Sequence, residues 1–203
     1  MHTWTRRVPP PGRRRSPVAM LNALLRIRTD RLTGLAGRGA FQAASYRSLA
    51  RNARTGQSTA ILMIDVNGFK EINETLGRRS GDQVLVAFAE VLRQCVRLPG
   101  LACRLGGDEF AVVLPETKSF AQAYDVAGRI AAALGPVAVE GRLITLAAAI
   151  GVAVAGPGEL THDELVHRAR LAMYRAKSLG PDTRWAVWQE PLEPDAGTYP
   201  AAA

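Results

Sequence analysis

Acidic residues stand at two places where an apolar run of the sequence ends. Asp65 lies near the end of the run TAILMIDV, and Asp108 and Glu109 separate two later apolar runs at residues 101–105 and 110–114. A buried carboxylate must be paired or must bind a metal ion. If the two later runs form a hairpin that pairs beside the first run, the three carboxylates converge at one edge of a sheet. Oxygen ligands of this kind suit two Mg²⁺ ions that also hold substrate phosphates.

The turn between the two later runs also has a simpler explanation. Gly106 and Gly107 lack side chains, so a bulky ligand could approach the backbone closely there. The same glycine pair is typical of the tight turn of a β-hairpin. In that case Asp108 and Glu109 only keep an exposed turn hydrated. For an isolated GGDE sequence the turn is the favoured interpretation, and spacing alone leaves both open.

Periodic patterns along the chain predict the elements that would position these residues. Near-continuous apolar runs with β-branched residues indicate buried strands, and apolar residues at helical spacing indicate helices. Helices are expected at residues 41–53, 69–76, 82–96, 119–134 and 161–177, the last with a capping box, and strands at 59–66, 101–105, 110–114, 136–140, 143–154 and 184–188. This order predicts one α/β (α+β sandwich) domain, with a mixed central sheet, helices on both faces and a central β-hairpin.

The net charge of +8 is concentrated at the N-terminus. Residues 1–28 contain seven arginines and no acidic residue, and removing these seven from the 26 basic residues leaves 19 against 18 acidic ones. We therefore expect residues 1–19 to be a disordered basic Pro/Arg leader without a specific nucleic-acid partner. Residues 20–29 are expected to form a lead-in helix, 30–189 the folded domain, and 190–203 a disordered tail.

Composition bounds the class of protein. The 203 residues are 47% hydrophobic and 22% charged, a balance that excludes a wholly disordered or collagen-like chain. Two cysteines, Cys95 and Cys103, fit a reducing interior better than a secreted disulfide scaffold. The longest apolar run, at residues 143–155, is too short to span a bilayer, which takes about 20 residues. We expect a cytoplasmic protein without a transmembrane segment.

Several sequence motifs resemble those of one known family. Residues 104–110, RLGGDEF, resemble the signature of the GGDEF family of diguanylate cyclases. Further family motifs are matched in order by residues 30–35 (DRLTGL), 65–73 (DVNGFKEIN), 81–82 (GD) and 173–177 (MYRAK). The resemblance covers about residues 26–189. It implies a GGDEF catalytic domain similar to the palm of nucleotidyl cyclases and polymerases. It also implies condensation of two GTP molecules into cyclic di-GMP, with release of pyrophosphate.

The resemblance further implies a role for each matching residue. Asp65, Asp108 and the backbone carbonyl of Val66 would hold Mg²⁺ or Mn²⁺. Glu109 would act at a second metal ion and help to activate the 3′-hydroxyl. The implied GTP contacts are Asn73 and Asp82 at the guanine edge, Lys70 and Lys177 at the triphosphate, and Phe69, Gly106 and Gly107 beside them. An aspartate acceptor suits the N1–H and N2–H₂ donors of guanine, a pattern that adenine lacks.

The resemblance implies that two copies of the domain act together. One domain holds one GTP, so the active unit would be a homodimer, and a separate sensor or activating partner could control its formation. Two alternatives remain open. The first is a catalytically weak or idle domain that binds GTP and serves as a receptor or scaffold. The second is an enzyme that accepts ATP in one half-site.

Several positions depart from the family pattern, and three of them bear on ligand binding. Asn67 stands where many members carry a second acid, and Pro181 stands where many carry an arginine that reaches the phosphates. The family's product-inhibition motif, R-x-x-D, keeps Arg97 here but has Gly100 in place of the aspartate. We therefore expect weaker triphosphate binding and no binding of cyclic di-GMP at Arg97.

Overall fold

The computed structural model describes residues 29–180 and 185–189. The predicted leader, the lead-in helix apart from Thr29, and the C-terminal tail lie outside the described residues, as do Pro181 and Arg184. Among the residues that are described, no helix combines the length and the apolar character needed to cross a bilayer.

A mixed six-stranded sheet forms the centre of the domain. The strands in the described residues are β1 (Ala36–Gly37), β2 (Ser58–Val66), β3 (Leu101–Gly106), β4 (Glu109–Thr117), β5 (Pro136–Val139), β6 (Arg142–Thr145), β7 (Ala148–Ala155) and β8 (Trp185–Val187). Six of them lie in the order β1-β3-β4-β2-β7-β8, and β5 pairs with β6 in a separate hairpin. Strand β2 is antiparallel to both of its neighbours, whereas the β1–β3 and β7–β8 pairs are parallel.

Helices cover both faces of this sheet. Those in the described residues are α1 (Arg38–Thr55), α2 (Phe69–Leu76), α3 (Arg78–Cys95), α4 (Phe120–Ala133) and α5 (His162–Ser178). Helices α2, α3 and α4 pack on the face where Ile64 and Val112 are buried. Helices α1 and α5 pack on the opposite face, over Met63 and Ala111. Because successive strand residues point to opposite faces, a strand covered on both sides is apolar without interruption. The predicted architecture is confirmed.

One of the two hydrogen bonds of the capping box predicted for α5 forms. The Thr161 hydroxyl oxygen accepts a hydrogen bond from the Glu164 N–H at 3.3 Å. The Glu164 carboxylate accepts a bond from Arg168 at 3.2 Å and makes no reciprocal bond with the Thr161 N–H, although both residues are described. Helix α5 therefore begins at a defined position.

One predicted strand has the wrong extent. The sequence predicts a single strand over residues 143–154, but the structure divides this segment between β6 and β7, which belong to different sheets. The break includes Leu146, which is buried and whose N–H donates to the carbonyl oxygen of Gly135 at 2.9 Å. Because Leu146 and Ala147 are as apolar as the strands around them, the hydropathy pattern contains no signal for the break.

Candidate active site

The adjacent ends of β2 and β4 bring two acidic side chains together. Asp65 is the cross-strand partner of Glu109 in the antiparallel register. Both residues lie on the face covered by α1 and α5, because each is two positions from a residue buried there, Met63 and Ala111 respectively. Directly opposed residues on antiparallel strands have Cβ atoms about 4.5–5.5 Å apart. The hairpin therefore pairs beside β2, as predicted, and places one of its acids next to Asp65.

Helix α5 presents a cationic side chain to each of these carboxylates. Lys177 Nζ lies 2.7 Å from Asp65 Oδ1, and Arg170 Nη2 lies 3.6 Å from Glu109 Oε2. Lys177 follows Arg170 by seven residues, about two helical turns, so both side chains project from one side of the helix. The end of the β2–β4 ladder is thus a row of two carboxylates faced by a row of two cations.

A glycine in β7 holds α5 close to the sheet. A Cβ atom at Gly151 would overlap the carbonyl oxygen of Ala169 and the backbone nitrogen of Met173 in α5. Gly151 is also the cross-strand partner of Met63 in β2. The backbone of α5 therefore rests directly on β7, next to β2, and this contact positions the two cations over the two carboxylates.

The β3–β4 turn consists of Gly107 and Asp108. Gly106 pairs with Glu109 across the turn. The backbone φ angles of Gly106 and Gly107 are +139° and +56°, values that residues with side chains rarely adopt. The Val66 N–H donates to the backbone carbonyl oxygen of Asp108 at 3.2 Å. This bond ties the turn to the end of β2.

Arg104 braces the same turn from β3. Its Nε and Nη2 atoms donate to the Gly107 carbonyl oxygen at 3.0 and 2.8 Å, and its Nη1 atom lies 3.0 Å from Asp30 Oδ1. Burial by itself raises the pKa of the Asp30 carboxyl, but hydrogen bonds from Thr33 and Arg104 outweigh this effect. The net pKa is lowered, so Asp30 keeps the negative charge that anchors Arg104.

A cleft of about 580 Å³ opens between α2 and α3. Its volume is typical of small-molecule sites, which span roughly 300–1,000 Å³. Four of the predicted GTP contacts line it, together with acidic, basic and apolar neighbours: Phe69, Lys70, Asn73, Glu74, Arg78, Asp82, Leu85 and Arg104. Because Arg104 also donates to the hairpin turn, it links the cleft to the carboxylates.

The position of Asn73 in this cleft depends on Gly81. A Cβ atom at residue 81 would overlap Asn73 Oδ1 and would lie 3.2 Å from Phe69 Cε2. The half-buried Asn73 side chain therefore occupies space that another residue at 81 would fill. An amide and a nearby carboxylate, here that of the exposed Asp82, together supply the donors and acceptors needed at the edge of a planar base.

The side chains at the turn suit a hard divalent cation. Asp65 and Glu109 supply the carboxylate oxygens that such an ion prefers, and each of them faces a cationic side chain on α5. Within residues 29–180 and 185–189, however, no three His, Cys, Asp or Glu side chains form a ready metal cluster. The expected convergence of Asp65, Asp108 and Glu109 is thus limited here to a facing pair. The ligand roles of Asp108 and Val66 stay predictions.

Comparison with known proteins identifies the family of this chain. A family model described as "Diguanylate cyclase, GGDEF domain" matches residues 27–183. The chain belongs to the GGDEF domain family. The diguanylate cyclase TpbB of Pseudomonas aeruginosa is 39% identical to this GGDEF domain over 150 residues, which are 73% of this chain and 34% of TpbB. The chain spans between 19% and 34% of the length of several curated relatives.

Solved GGDEF domains share the fold. A structure comprising only the GGDEF domain of TpbB matches with a TM-score of 0.75 and 36% identity, and covers 79% of this chain and 94% of that one. The coiled coil and GGDEF domain of DgcB from Caulobacter crescentus, in complex with c-di-GMP, matches with a TM-score of 0.76 and 26% identity. That match covers 83% of this chain and 89% of the other. The expected palm-like fold is confirmed.

Sequence reasoning missed three residues that position this GGDEF site. Arg38 donates from Nη2 to the carbonyl oxygen of Leu105 at 2.9 Å, just before the turn. Gly151 interrupts an apolar strand, a pattern that indicates a close backbone approach and could have identified it. Arg170 precedes Lys177 by two helical turns, a spacing that becomes informative only once Lys177 has been placed against a carboxylate.

Other candidate residues lie apart from this site. Burial raises the pKa of the Cys103 thiol to about 12 and also raises the pKa of Cys95, so both cysteines stay protonated and neither is a nucleophile at neutral pH. Arg97 is exposed and lines a separate cleft of about 220 Å³. The absence of cyclic di-GMP binding at Arg97 stays a prediction.

Proposed function

We propose that this GGDEF domain, residues 30–189, condenses two GTP molecules into cyclic di-GMP and releases pyrophosphate. The observation that carries the proposal is the cross-strand pairing of Asp65 with Glu109, joined through Arg104 to a cleft that contains Asn73 and Asp82. Acidic oxygens beside a base-sized cleft are what nucleotidyl transfer requires, since such reactions depend mainly on positioning and on neutralisation of charge.

Guanine recognition is assigned to the α2–α3 cleft. The Asp82 carboxylate accepts hydrogen bonds from N1–H and N2–H₂ of guanine, and the Asn73 amide bonds another atom of the base edge. Adenine presents an acceptor at N1 and has no 2-amino group, so it would leave the Asp82 carboxylate without donors. Phe69 forms an apolar wall of the cleft. The preference for GTP over ATP follows from this difference.

The triphosphate is assigned to the two lysines and the glycine turn. Lys70 has an 87% exposed side chain, and its contact with Glu74 is long, at 3.8 Å, so it is available to a phosphate. Lys177 lies at Asp65 and can exchange that carboxylate for a phosphate oxygen close by. Gly106 and Gly107 leave the backbone of the turn open to the ligand.

The acidic residues are assigned to the reacting atoms. Asp65, the Val66 carbonyl, Asp108 and Glu109 would hold Mg²⁺ or Mn²⁺, which would supply charge neutralisation at the phosphates. The 3′-oxygen of one GTP forms a bond to the α-phosphorus of the other as the bond to pyrophosphate breaks. Glu109 accepts the proton that the hydroxyl loses. Its carboxylate directly follows the hairpin turn and is half-buried, so it is accessible to a nucleotide held there.

Turnover requires two copies of the domain. Each copy brings one GTP in its own α2–α3 cleft, and the two 3′-hydroxyls attack in opposite directions, which a two-fold symmetric dimer allows. The rate per domain therefore depends on protein concentration. A sensor or activating partner that brings two domains together would raise the rate in the same way.

A second candidate function is GTP binding without turnover, as in a receptor or scaffold. Two observations favour it. Both carboxylates of the site already have cationic partners on α5, and Asn67 supplies no charge where many members of the family have an acid. In this alternative the cleft binds the nucleotide, but the site does not neutralise the reacting phosphates.

The two functions are separated by incubating the purified 203-residue chain with GTP and Mg²⁺ or Mn²⁺ and resolving the nucleotides by chromatography. We expect cyclic di-GMP and pyrophosphate, at a rate per domain that rises with protein concentration. Asp65→Asn and Glu109→Gln should lower this rate roughly 10²- to 10⁴-fold. Asp125→Asn, which makes the same chemical change at an exposed site on α4, is the matched control and should leave the rate unchanged.

The guanine assignment has its own test in the same assay. Asp82→Asn and Asn73→Ala should raise the KM for GTP and reduce the discrimination between GTP and ATP. GTP binding without any product, at every protein concentration, would reject the cyclase and support the receptor. A mixed cyclic product from GTP and ATP together would instead support the half-site alternative.

A further inference from the structure

Arg170 makes an incomplete contact with the Glu109 carboxylate. Its Nη2 atom lies 3.6 Å from Glu109 Oε2, beyond hydrogen-bond distance, and the two side chains are 37% and 29% exposed. The Nε atom of Arg170 is buried and has no hydrogen-bond partner among the residues that the structure describes. A guanidinium normally binds a carboxylate through two parallel N–H bonds. Here one donor is too far away and another is unused.

The incomplete contact lies on a rigid part of the fold. Helix α5 rests on β7 at Gly151 through backbone atoms, and the neighbouring Ala169 and Met173 are buried against the sheet. Glu109 begins β4 and is paired with Asp65. The two backbones therefore keep Arg170 within reach of Glu109, and the contact changes only when one of the two side chains rotates.

We propose that Arg170 is a positioning residue that competes with the divalent cation for the Glu109 carboxylate and so sets how much metal ion the site requires. This inference rests on the proposed function, because it assigns a regulator to the same carboxylates. Glu109 faces the guanidinium in the absence of metal and turns away from it when a divalent cation is bound.

The competition follows from the charge of arginine. Arginine stays protonated at every physiological pH, so its charge cannot be relieved by loss of a proton. Its guanidinium attracts Glu109 when no metal ion is present and repels a divalent cation that approaches the same carboxylate. Both effects weaken metal binding. The unused Nε donor adds to them, because a small turn of the carboxylate toward Arg170 would complete the two-bond contact.

Lys177 differs from Arg170 in this respect. Its ammonium is carried on a flexible stem and lies 2.7 Å from Asp65, where the triphosphate is expected. Substrate can therefore draw Lys177 away from its carboxylate. Arg170 has a planar head group and no phosphate role in the proposed function, so the metal ion itself must displace it. The requirement for metal is thus set mainly at Glu109.

The test is a Mn²⁺ titration of the full chain with a non-hydrolysable GTP analogue present, followed by the electron paramagnetic resonance signal of free Mn²⁺. Arg170→Gln should bind Mn²⁺ roughly 3- to 10-fold more tightly than the wild type, as expected for release of a partly exposed ion pair together with a nearby repulsion. Arg170→Lys keeps the charge but loses the second N–H donor, so its Mn²⁺ affinity should lie between those of the wild type and Arg170→Gln. Circular dichroism checks that each variant is folded.

Two further variants show whether the effect acts at this site. Arg175→Gln removes the same charge from an exposed position on α5 and should leave Mn²⁺ affinity unchanged. When Glu109→Gln is already present, adding Arg170→Gln should give no gain in Mn²⁺ affinity over Glu109→Gln alone, because the arginine acts through that carboxylate. Should Arg170→Gln fail to fold, Arg170→Met keeps the aliphatic stem and takes its place, with the same expected gain.

The outcomes separate this proposal from the proposed function. Mn²⁺ affinity that is equal in the wild type and in Arg170→Gln overturns the role of Arg170 and leaves the cyclase proposal standing. A gain that persists after Glu109→Gln also overturns it, since the arginine would then act elsewhere. Failure of every protein, the wild type included, to bind Mn²⁺ with the analogue overturns both proposals.

Discussion

Gly81 shows how a single small residue can define a binding site. The Asn73 side chain lies where a Cβ at residue 81 would be, and the ring of Phe69 borders the same space. The conflicting atom is the end of a flexible side chain rather than backbone, so an added methyl group would push Asn73 aside without breaking the fold. The identity of residue 81 therefore affects GTP binding more than it affects the stability of the fold.

We predict that Gly81→Ala weakens GTP binding at least tenfold while the melting temperature falls by no more than a few degrees, since alanine favours the helix that it joins. Isothermal titration with a non-hydrolysable GTP analogue and thermal unfolding measure the two effects. Gly128→Ala, at a helical glycine with open space around it, is the matched control and should leave GTP affinity unchanged. Equal GTP affinity of Gly81→Ala and the wild type would contradict the assignment of Asn73.

Some residues of the site could be predicted from sequence and others could not, for a physical reason. Asp65 is conspicuous because an acid at the end of an apolar strand has few structural explanations. Asn73 and Asp82 were predicted through the family resemblance, and the structure lines one cleft with both. Arg170 reaches the site only because of the orientation in which α5 packs on the sheet, and the sequence pattern does not show that orientation.

At the scale of elements, the contact between α5 and β7 controls the site. The helix approaches the strand so closely that the carbonyl of Ala169 and the nitrogen of Met173 occupy the space of a side chain at Gly151. The backbone atoms of a helix cannot move out of the way as the end of a flexible side chain can. Any added volume at Gly151 must lift α5, and with it the cations that face Asp65 and Glu109.

We predict that Gly151→Ala lowers the free energy of unfolding by about 2–4 kcal/mol, within the range seen for overpacked or strained cores. Urea denaturation measures this change. At temperatures where the variant is folded, its rate of cyclic di-GMP formation should still be at least tenfold below that of the wild type, because the cations are displaced. Gly135→Ala, where a Cβ meets open space, should change neither quantity appreciably.

Elements with a strong periodic pattern were predictable, and those set by local packing were not. The central strand β2, the β3–β4 hairpin and the amphipathic helices have the expected order. The two-residue strand β1 lies in a segment whose glycines indicate only turns, since its pairing with β3 is a tertiary contact. The end of β6 is hidden within a continuous apolar run for the same reason.

At the scale of the whole molecule, His162 joins two helices on one face of the sheet. The ring is 5% exposed, its Nδ1 atom lies 2.9 Å from Ser45 Oγ in α1, and it packs against Tyr46 with ring centroids 4.5 Å apart. Burial lowers the pKa of His162, and this effect outweighs the opposing influence of Asp163. The folded state therefore favours the neutral ring.

The lowered pKa of His162 predicts that the folded protein loses stability as the pH falls. Because the folded pKa of His162 lies below its ordinary value of 6.5, the unfolded chain takes up the proton first as pH falls. Stability is thus fully present above pH 6.5 and declines as pH falls below it. We predict that His162→Phe with Ser45→Ala flattens this decline in melting temperature between pH 7 and 5. His167→Gln, on an exposed part of α5, should retain it, and a decline unchanged by the double substitution would exclude His162 as its source.

The pairing of Asp65 with Glu109 belongs to a ladder between β2 and β4 that continues without a break from Ala60 to Asp65. Two paired strands can change register only by whole residues. A shift of one residue turns every side chain of the shifted strand to the opposite face of the sheet. An insertion or deletion within β2 or β4 would therefore not weaken this chemistry by degrees. Such a change would move one of the two acids to the face covered by α3, while the other acid stays on the face covered by α5. Only substitutions that keep the strand lengths can therefore adjust the site gradually.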